Sequence, residues 1–228
     1  MNLLCGSFAV VAALMYNDLT LAFWLIVAGI VFDFFDGFVA RLLHSSSAIG
    51  VQLDSLADVI TSGLAPAAVL WQVCLQTEPC WLPETWKLGY GVFVLTAFSA
   101  LRLAKFNIDE TQTVEFCGLP TPAGSLLCAS LGMLWQQGAV ALSSDGVLLI
   151  AVLTSLLLVS PIRMFALKFH GFGWRGNEVR YLFLLASIVL IIILRTYAIP
   201  VIIVLYIVVS AVRWLCMRSG NPDKAPKA

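Results

Sequence analysis

The sequence predicts an all-α fold, a polytopic membrane bundle of about eight transmembrane helices. Three observations carry that expectation. First, 61% of the 228 residues are hydrophobic and 11% are charged, and the mean hydropathy is +0.96. A water-soluble domain of this length has too little polar surface to cover so much apolar material. Second, the apolar runs are long and unbroken, which excludes a transmembrane barrel, whose strands alternate polar with apolar residues. Third, lysine and arginine segregate to one side when the spans are threaded back and forth.

A crossing helix needs about 20 apolar residues. The candidates in chain order are 2–16, 19–43, 50–73, 88–106, 122–142, 145–161, 179–196 and 198–217. The first, "MNLLCGSFAVVAALM", lacks a basic leading region and a small-residue cleavage site, so it reads as a span rather than a removable leader. The second, "LTLAFWLIVAGIVF", runs directly into the charged stretch "DFFDGFVAR". A short polar turn, "HSSSAI", separates it from the third. The fourth ends in "ALRLAKFN". The fifth follows "GLPTPAG", where the prolines suit the first turn of a helix. The last three rest on apolar length. The sizeable connections are 74–87, 107–121 and 162–178. We therefore expect one transmembrane domain over 1–218 and a polar C-terminal tail over 219–228.

The formal net charge is zero, which gives no general attraction to nucleic acid, and no nucleic-acid partner is expected. With the N-terminus in the cytoplasm and eight spans, Arg41, Arg102, Lys105, Arg163, Lys168, Arg175, Arg180, Arg213, Arg218, Lys224 and Lys227 fall on the cytoplasmic side. Lys87 and Arg195 fall on the other. That asymmetry is the positive-inside pattern, and it supports both span count and orientation. Cysteines stand at 5, 74, 80, 117, 128 and 216, without a CxxC pair or a histidine cluster, so zinc and iron–sulfur sites are not expected. Cys74 and Cys80 share a non-cytoplasmic loop, where a disulfide and two free thiols are both open.

The chemistry concentrates in four aspartates. Asp33, Asp36, Asp54 and Asp58 lie at the ends of apolar helices, where carboxylates are costly and face polar cavities. Asp33, Asp36, Gly37, Ala40 and Arg41 recur at helical spacing and share one face. Gly50, Asp54 and Asp58 share one face of the next helix. Phe34, Phe35 and Phe38 lie off the stripe. The two faces can meet as an antiparallel pair near the cytoplasmic boundary. Four anions in a dry pocket need cations, and Arg41 neutralises at most one of them. Hard divalent ions suit an all-oxygen site: Mg²⁺, Mn²⁺ or Ca²⁺, and two ions for four carboxylates. Two ions in turn suit phosphoryl chemistry. Gly37, Ala40 and Gly50 leave room for a ligand to approach the backbone. On spacing alone, helix-end charges without a site and an ion pathway in a cation-coupled transporter remain open beside this reading. The absence of two similar halves weighs against a transporter.

Read through in order, the residues spell D-G-x2-A-R-x8-G-x3-D-x3-D, from Asp36 to Asp58, with Asp33 just before. This resembles the signature of the CDP-alcohol phosphotransferases, which join a CDP-activated lipid or alcohol to a second alcohol and release CMP. The resemblance implies that Asp33, Asp36 and Asp54 bind the metals. It implies that Asp58 touches a metal and acts as general base. Asp36, Gly37, Ala40, Arg41 and Gly50 would line the CDP and phosphate pocket. "MNLLCGSFAV", "GVQLDSLADVITSGLAPA", "ALRLAKFN" with "FCGLPTPAG", and more loosely "LVSPIRMFALK", are similar to the membrane-type phosphatidylserine synthases within that family. Ser62 stands where those proteins often carry Phe. Relatives also often have an Asn-x-x-Thr element ahead of the position of Asn2, which puts a cytidine contact from that element in doubt. The implied substrates are CDP-diacylglycerol and L-serine, in contact with membrane lipid, and the implied assembly is a homodimer at a prokaryotic cytoplasmic membrane. A sister transferase using glycerol phosphate, inositol phosphate or another alcohol shares the same aspartates.

Serine carries a carboxylate that needs a cation. Arg102 and Lys105, followed by Asn107, and the pair Arg163 and Lys168 are the candidates for serine or phosphate. Positive-inside anchoring of helix ends explains the same cations equally well. His44 and His170 read as interfacial polar residues, and the tryptophans at 81, 86, 174 and 214 as members of an interface belt.

Overall fold

A computed structural model of the chain describes residues 1–43, 47–80, 89–108, 115–165 and 177–220. Helices dominate. The chain opens with α1 (Asn2–Leu14), α2 (Leu19–Leu42) and α3 (Ala48–Asp58). A six-residue π-helical segment, Val59–Leu64, continues α3 into α4 (Ala65–Gln76). A 3-10 turn, Gly89–Phe93, leads into α5 (Val94–Ile108). Then come α6 (Thr121–Gln136) and α7 (Ser144–Leu158). α8 (Glu178–Leu194) and α9 (Ala198–Gly220) flank a short 3-10 turn, Arg195–Tyr197.

Local chemistry sets the helix starts. The Asp18 carboxylate accepts the Leu21 N–H at 2.8 Å, ahead of α2. Ser47 caps α3 by accepting from the Gly50 N–H at 3.0 Å, and Ser143 caps α7 through the Gly146 N–H at 3.2 Å. Each supplies an acceptor that the first helical turn lacks. Pro120 precedes α6, and Pro122 occupies its first turn, as the sequence leads one to expect. The α6 span was expected to reach 142. It stops at Gln136 because Gly138, at φ +69°, turns the chain out of the helix before the apolar "AVAL".

Four stretches among the described residues are long and apolar enough to cross a membrane: Leu19–Ala40, Ile49–Gln76, Gly89–Ile108 and Glu178–Cys216. Asn2–Leu14 and Ser144–Leu158 are apolar but shorter. The buried core is built of small residues from α1, α2, α4 and α6, including Ala9, Ala13, Ala22, Ala65, Ala68 and Ala129, around Phe23 and Leu19. Small side chains let helix backbones approach closely, which is how helices associate in lipid. The outside is the reverse. Leu185, Ile188, Ile192 and Ile193 of α8 are exposed, as are Trp24, Phe34 and Phe35 of α2. An apolar surface of this extent belongs against acyl chains.

One element departs from the all-helical expectation. Glu115–Cys117 (β1) pairs antiparallel with Arg163–Phe165 (β2), with Cys117 opposite Arg163. Both strands fall in segments expected to be loops, and three residues are too few to display a period. The Tyr206 hydroxyl donates to the Phe165 carbonyl at 3.0 Å and fastens the ribbon to α9. All six cysteines are free thiols. Cys74 is buried with its sulfur 3.6 Å from the Ser144 carbonyl, and Cys80 is exposed, so the disulfide left open above does not form. His44, Trp81, Trp86, Lys87, Lys168, His170, Trp174, Arg175 and the residues beyond 220 lie outside the described residues.

Candidate active site

Three of the four aspartates come together. Asp33 of α2 lies against Asp54 and Asp58 of α3. The sequence suggested that α2 and α3 would meet directly. Instead, the start of α1 packs against α2, α3 and the π segment, while α2 and α3 touch each other little. Asn2 is the piece that joins them. Its side-chain amide donates to Asp33 Oδ1 at 3.1 Å and to Asp58 Oδ1 at 2.9 Å. Its carbonyl accepts from the Thr61 hydroxyl at 3.1 Å. Gly6 of α1 and Gly29 of α2 make this approach possible. A Cβ on Gly29 would stand 2.6 Å from the Thr61 methyl, and one on Gly6 would stand 2.8 Å from the Thr61 Cα.

Asp36 is more exposed, with Oδ2 3.9 Å from the Met1 amino group. Space around Gly37 is open: a Cβ there would meet nothing within 4 Å. Gly50 is exposed beside its cap, Ser47, and Ala40 is half-buried. Arg41 continues the helical backbone of α2, and its side chain lies outside the description.

Crowded carboxylates call for cations, so the donor set matters. Among the described residues, no three His, Cys, Asp or Glu side chains already stand close enough to hold one ion. The chemistry of the set nevertheless fits. Three carboxylates adjoin, and the Asn2 amide oxygen is buried without a hydrogen-bond partner. All are hard oxygen donors of the kind Mg²⁺, Mn²⁺ and Ca²⁺ take.

A buried arginine completes the cluster. Arg102 of α5 is 8% exposed. Its Nη1 donates to the Thr121 hydroxyl at 2.6 Å, while its Nε has no partner. Its charge and that of Asp58 are close enough to act on each other. Arg102 and the exposed Lys105 both line a cavity of about 460 Å³ beside β1 and the end of α7. The Asn107 amide donates to the Ser55 hydroxyl at 2.8 Å and ties the end of α5 to α3, between Asp54 and Asp58. Arg163 sits on β2, outside that lining.

Sequence reasoning missed Asn2, Thr61 and Thr121. Asn2 and Thr61 had one visible signal, a polar side chain amid a helix otherwise made for lipid. Thr121 looked like part of a proline turn.

A helical membrane protein whose carboxylates cluster near a buried guanidinium offers hard oxygen donors and a cation, a pairing suited to an anionic group such as phosphate. The family follows from comparison. Residues 1–160 match the family model described as CDP-alcohol phosphatidyltransferase. The chain is 32% identical over 170 residues to the CDP-diacylglycerol–serine O-phosphatidyltransferase of Bacillus subtilis, covering 75% of this chain and 88% of that protein. It is 31% identical over 200 residues to the protein of the same name from Helicobacter pylori, covering 86% and 80%. It is 32% identical over 241 residues to the one from Mycobacterium tuberculosis, covering 98% and 81%. The chain belongs to the CDP-alcohol phosphatidyltransferase family and is a transferase of phospholipid synthesis.

Proposed function

We propose that this chain transfers the phosphatidyl group of CDP-diacylglycerol to L-serine, giving phosphatidylserine and CMP. One observation carries the reading: Asn2 donates to both Asp33 and Asp58, Asp54 lies against Asp33, and Asp58 stands within electrostatic reach of the buried Arg102. The names that its relatives carry support serine as the acceptor.

Asp33, Asp36, Asp54 and Asp58 would hold the divalent cations, two of them, as Mg²⁺ or Mn²⁺, with Ca²⁺ compatible with the same oxygens. Bound there, such cations neutralise phosphate charge that would otherwise repel the carboxylates. The chain's own groups do the rest. Gly37 leaves open space where the CDP moiety approaches α2, and Ala40, Arg41 and Gly50 complete that pocket with Asp36. Asp58 accepts the proton of the serine hydroxyl. The serine oxygen forms a bond to the phosphorus that carries diacylglycerol, and the bond from that phosphorus to the bridging oxygen breaks. CMP leaves with the electron pair. Asn2 holds Asp58 toward the acceptor through its amide N–H.

The same reading takes residues 1–218 as one transmembrane domain of about eight spans, with the site at the cytoplasmic face of a prokaryotic cytoplasmic membrane, and the protein as a homodimer. The test is CMP release by purified protein with CDP-diacylglycerol and Mn²⁺ or Mg²⁺, with and without L-serine and with other alcohols. Serine-dependent and metal-dependent release is expected. Release with glycerol phosphate or inositol phosphate alone would keep the transferase and replace the acceptor.

A further inference from the structure

We infer that the cavity between the end of α5, β1 and the turn after α7 is the acceptor pocket, where Arg102 binds the carboxylate of a small amino acid. The inference rests on the proposed transfer to serine and adds the residues that would select the acceptor. The cavity, about 460 Å³, is lined by Arg102, Lys105, Phe106, Cys117, Ser160 and Pro161 among others. It holds a molecule the size of an amino acid with water to spare.

Arg102 is its chemical centre. The side chain is more than nine-tenths buried, one donor is engaged by Thr121, and Nε points to no partner. A buried guanidinium with an unused N–H calls for an anion. Asp58 is the carboxylate that acts on it, and the proposed transfer uses Asp58 as proton acceptor. A serine carboxylate on Arg102 reconciles the two. Only two carbons separate that carboxylate from the hydroxyl, so anchoring one end beside Asp58 delivers the other to the base.

Polar groups beneath agree. Ser62, Ser99 and Ser125 have buried hydroxyls without a partner. Ser62 stands one helical turn after Asp58, Ser99 one turn before Arg102, and Ser125 one turn after Thr121. Gly63 brings two of these elements together, since a Cβ there would lie 3.0 Å from the Ser99 Cβ. Hydroxyls left unpaired in a core are costly unless something polar occupies the space beside them. One deep cation matches one carboxylate. Lys105, exposed at the mouth, draws anions in.

The experiment measures CMP release by full-length protein in detergent, varying L-serine, ethanolamine (which lacks the carboxylate) and CDP-diacylglycerol. The variants are Arg102→Met, Arg102→Lys and Ser160→Leu, which narrows the cavity without touching Arg102. Arg102→Met should raise the KM for serine about 10- to 100-fold, the loss of one charge-assisted contact. The KM for CDP-diacylglycerol should hold, and the preference for serine over ethanolamine should collapse. Arg102→Lys should fall between, and Ser160→Leu should raise the serine KM while keeping kcat. If Arg102→Met does not fold, the other two variants decide in the same terms. A folded Arg102→Met with an unchanged serine KM overturns the proposal. So does one whose donor KM rises instead, which would place Arg102 on the donor phosphate. Wild-type protein that uses a phosphorylated alcohol and not serine removes the underlying reading, and the proposal with it.

Discussion

Asn2 and Asp58 stand 56 positions apart and share a hydrogen bond of 2.9 Å, from Nδ2 to Oδ1. The same nitrogen reaches Asp33 at 3.1 Å. One neutral amide thus joins carboxylates from two helices whose backbones stay apart. Asn2→Ala removes both contacts. Hydrogen bonds to charged groups are worth about 1.5–3 kcal/mol, so kcat should fall roughly 10- to 100-fold. Circular dichroism should still report a folded helical protein. Full activity in this variant would show that the bridge plays no part in turnover.

Asp58→Asn tests the base. The change keeps the shape and an oxygen for hydrogen bonding, and it removes proton-accepting power. A positioned base contributes about 10²–10⁴-fold, so CMP release should drop by at least that range's lower end while the melting curve stays in place. Substantial activity would assign the proton to another group.

Cation removal should affect both function and stability. With the carboxylates of Asp33, Asp54 and Asp58 crowded together, a bound divalent ion stabilises the folded state by mass action. Chelator should abolish CMP release and lower the midpoint of thermal unfolding. Adding Mn²⁺ or Mg²⁺ back should restore both.

Two glycines of α2 should respond in opposite ways. At Gly29 an added methyl would crowd Thr61 at 2.6 Å and Cys5 at 3.3 Å. Overpacking of this kind costs about 1–3 kcal/mol, and Gly29→Ala should melt at a lower temperature. At Gly37 the same methyl meets open space, and alanine is the better helix former by about 1 kcal/mol. Gly37→Ala should therefore melt no lower than wild type. Its KM for CDP-diacylglycerol should rise, because the methyl occupies the space assigned to the donor.

Thiol labelling of the folded protein should divide the cysteines by burial. Cys80 and Cys216 are exposed and should react with a maleimide, whereas Cys5, Cys74 and Cys128 are buried and should not. Reducing agent should leave the melting temperature unchanged, because no disulfide holds Cys74 to Cys80. A reductant-sensitive melting point would contradict that pairing state.

What could be read from the sequence was what obeys short periods. Asp33 and Asp36, or Asp54 and Asp58, announce themselves because three or four positions bring a side chain back to the same helix face. Pro122 marks the start of α6 because proline loses nothing in a first turn. The missed features all depend on distant partners. Nothing near Asn2 in the chain says that Thr61 will donate to its carbonyl or that two aspartates will share its amide. Asn107 stands out in the sequence because it follows Arg102 and Lys105, but nothing beside it announces its hydrogen bond to Ser55, 52 positions away. The β1–β2 ribbon joins segments some fifty residues apart in the chain through three residues on each side, a pairing no local pattern encodes.

The π segment gives the rod from Ala48 to Gln76 two independent angular settings. Each α-helical residue advances the azimuth by about 100°, and the wider turns of Val59–Leu64 reset the phase immediately after Asp58. Upstream, the azimuth aims Asp54 and Asp58 at their partners. Downstream, it turns Ala65, Ala68 and Val69 into the core. Deleting one residue from Val59–Leu64 would bring the two settings into a single phase. The chain would then have to choose which of its ends to misalign.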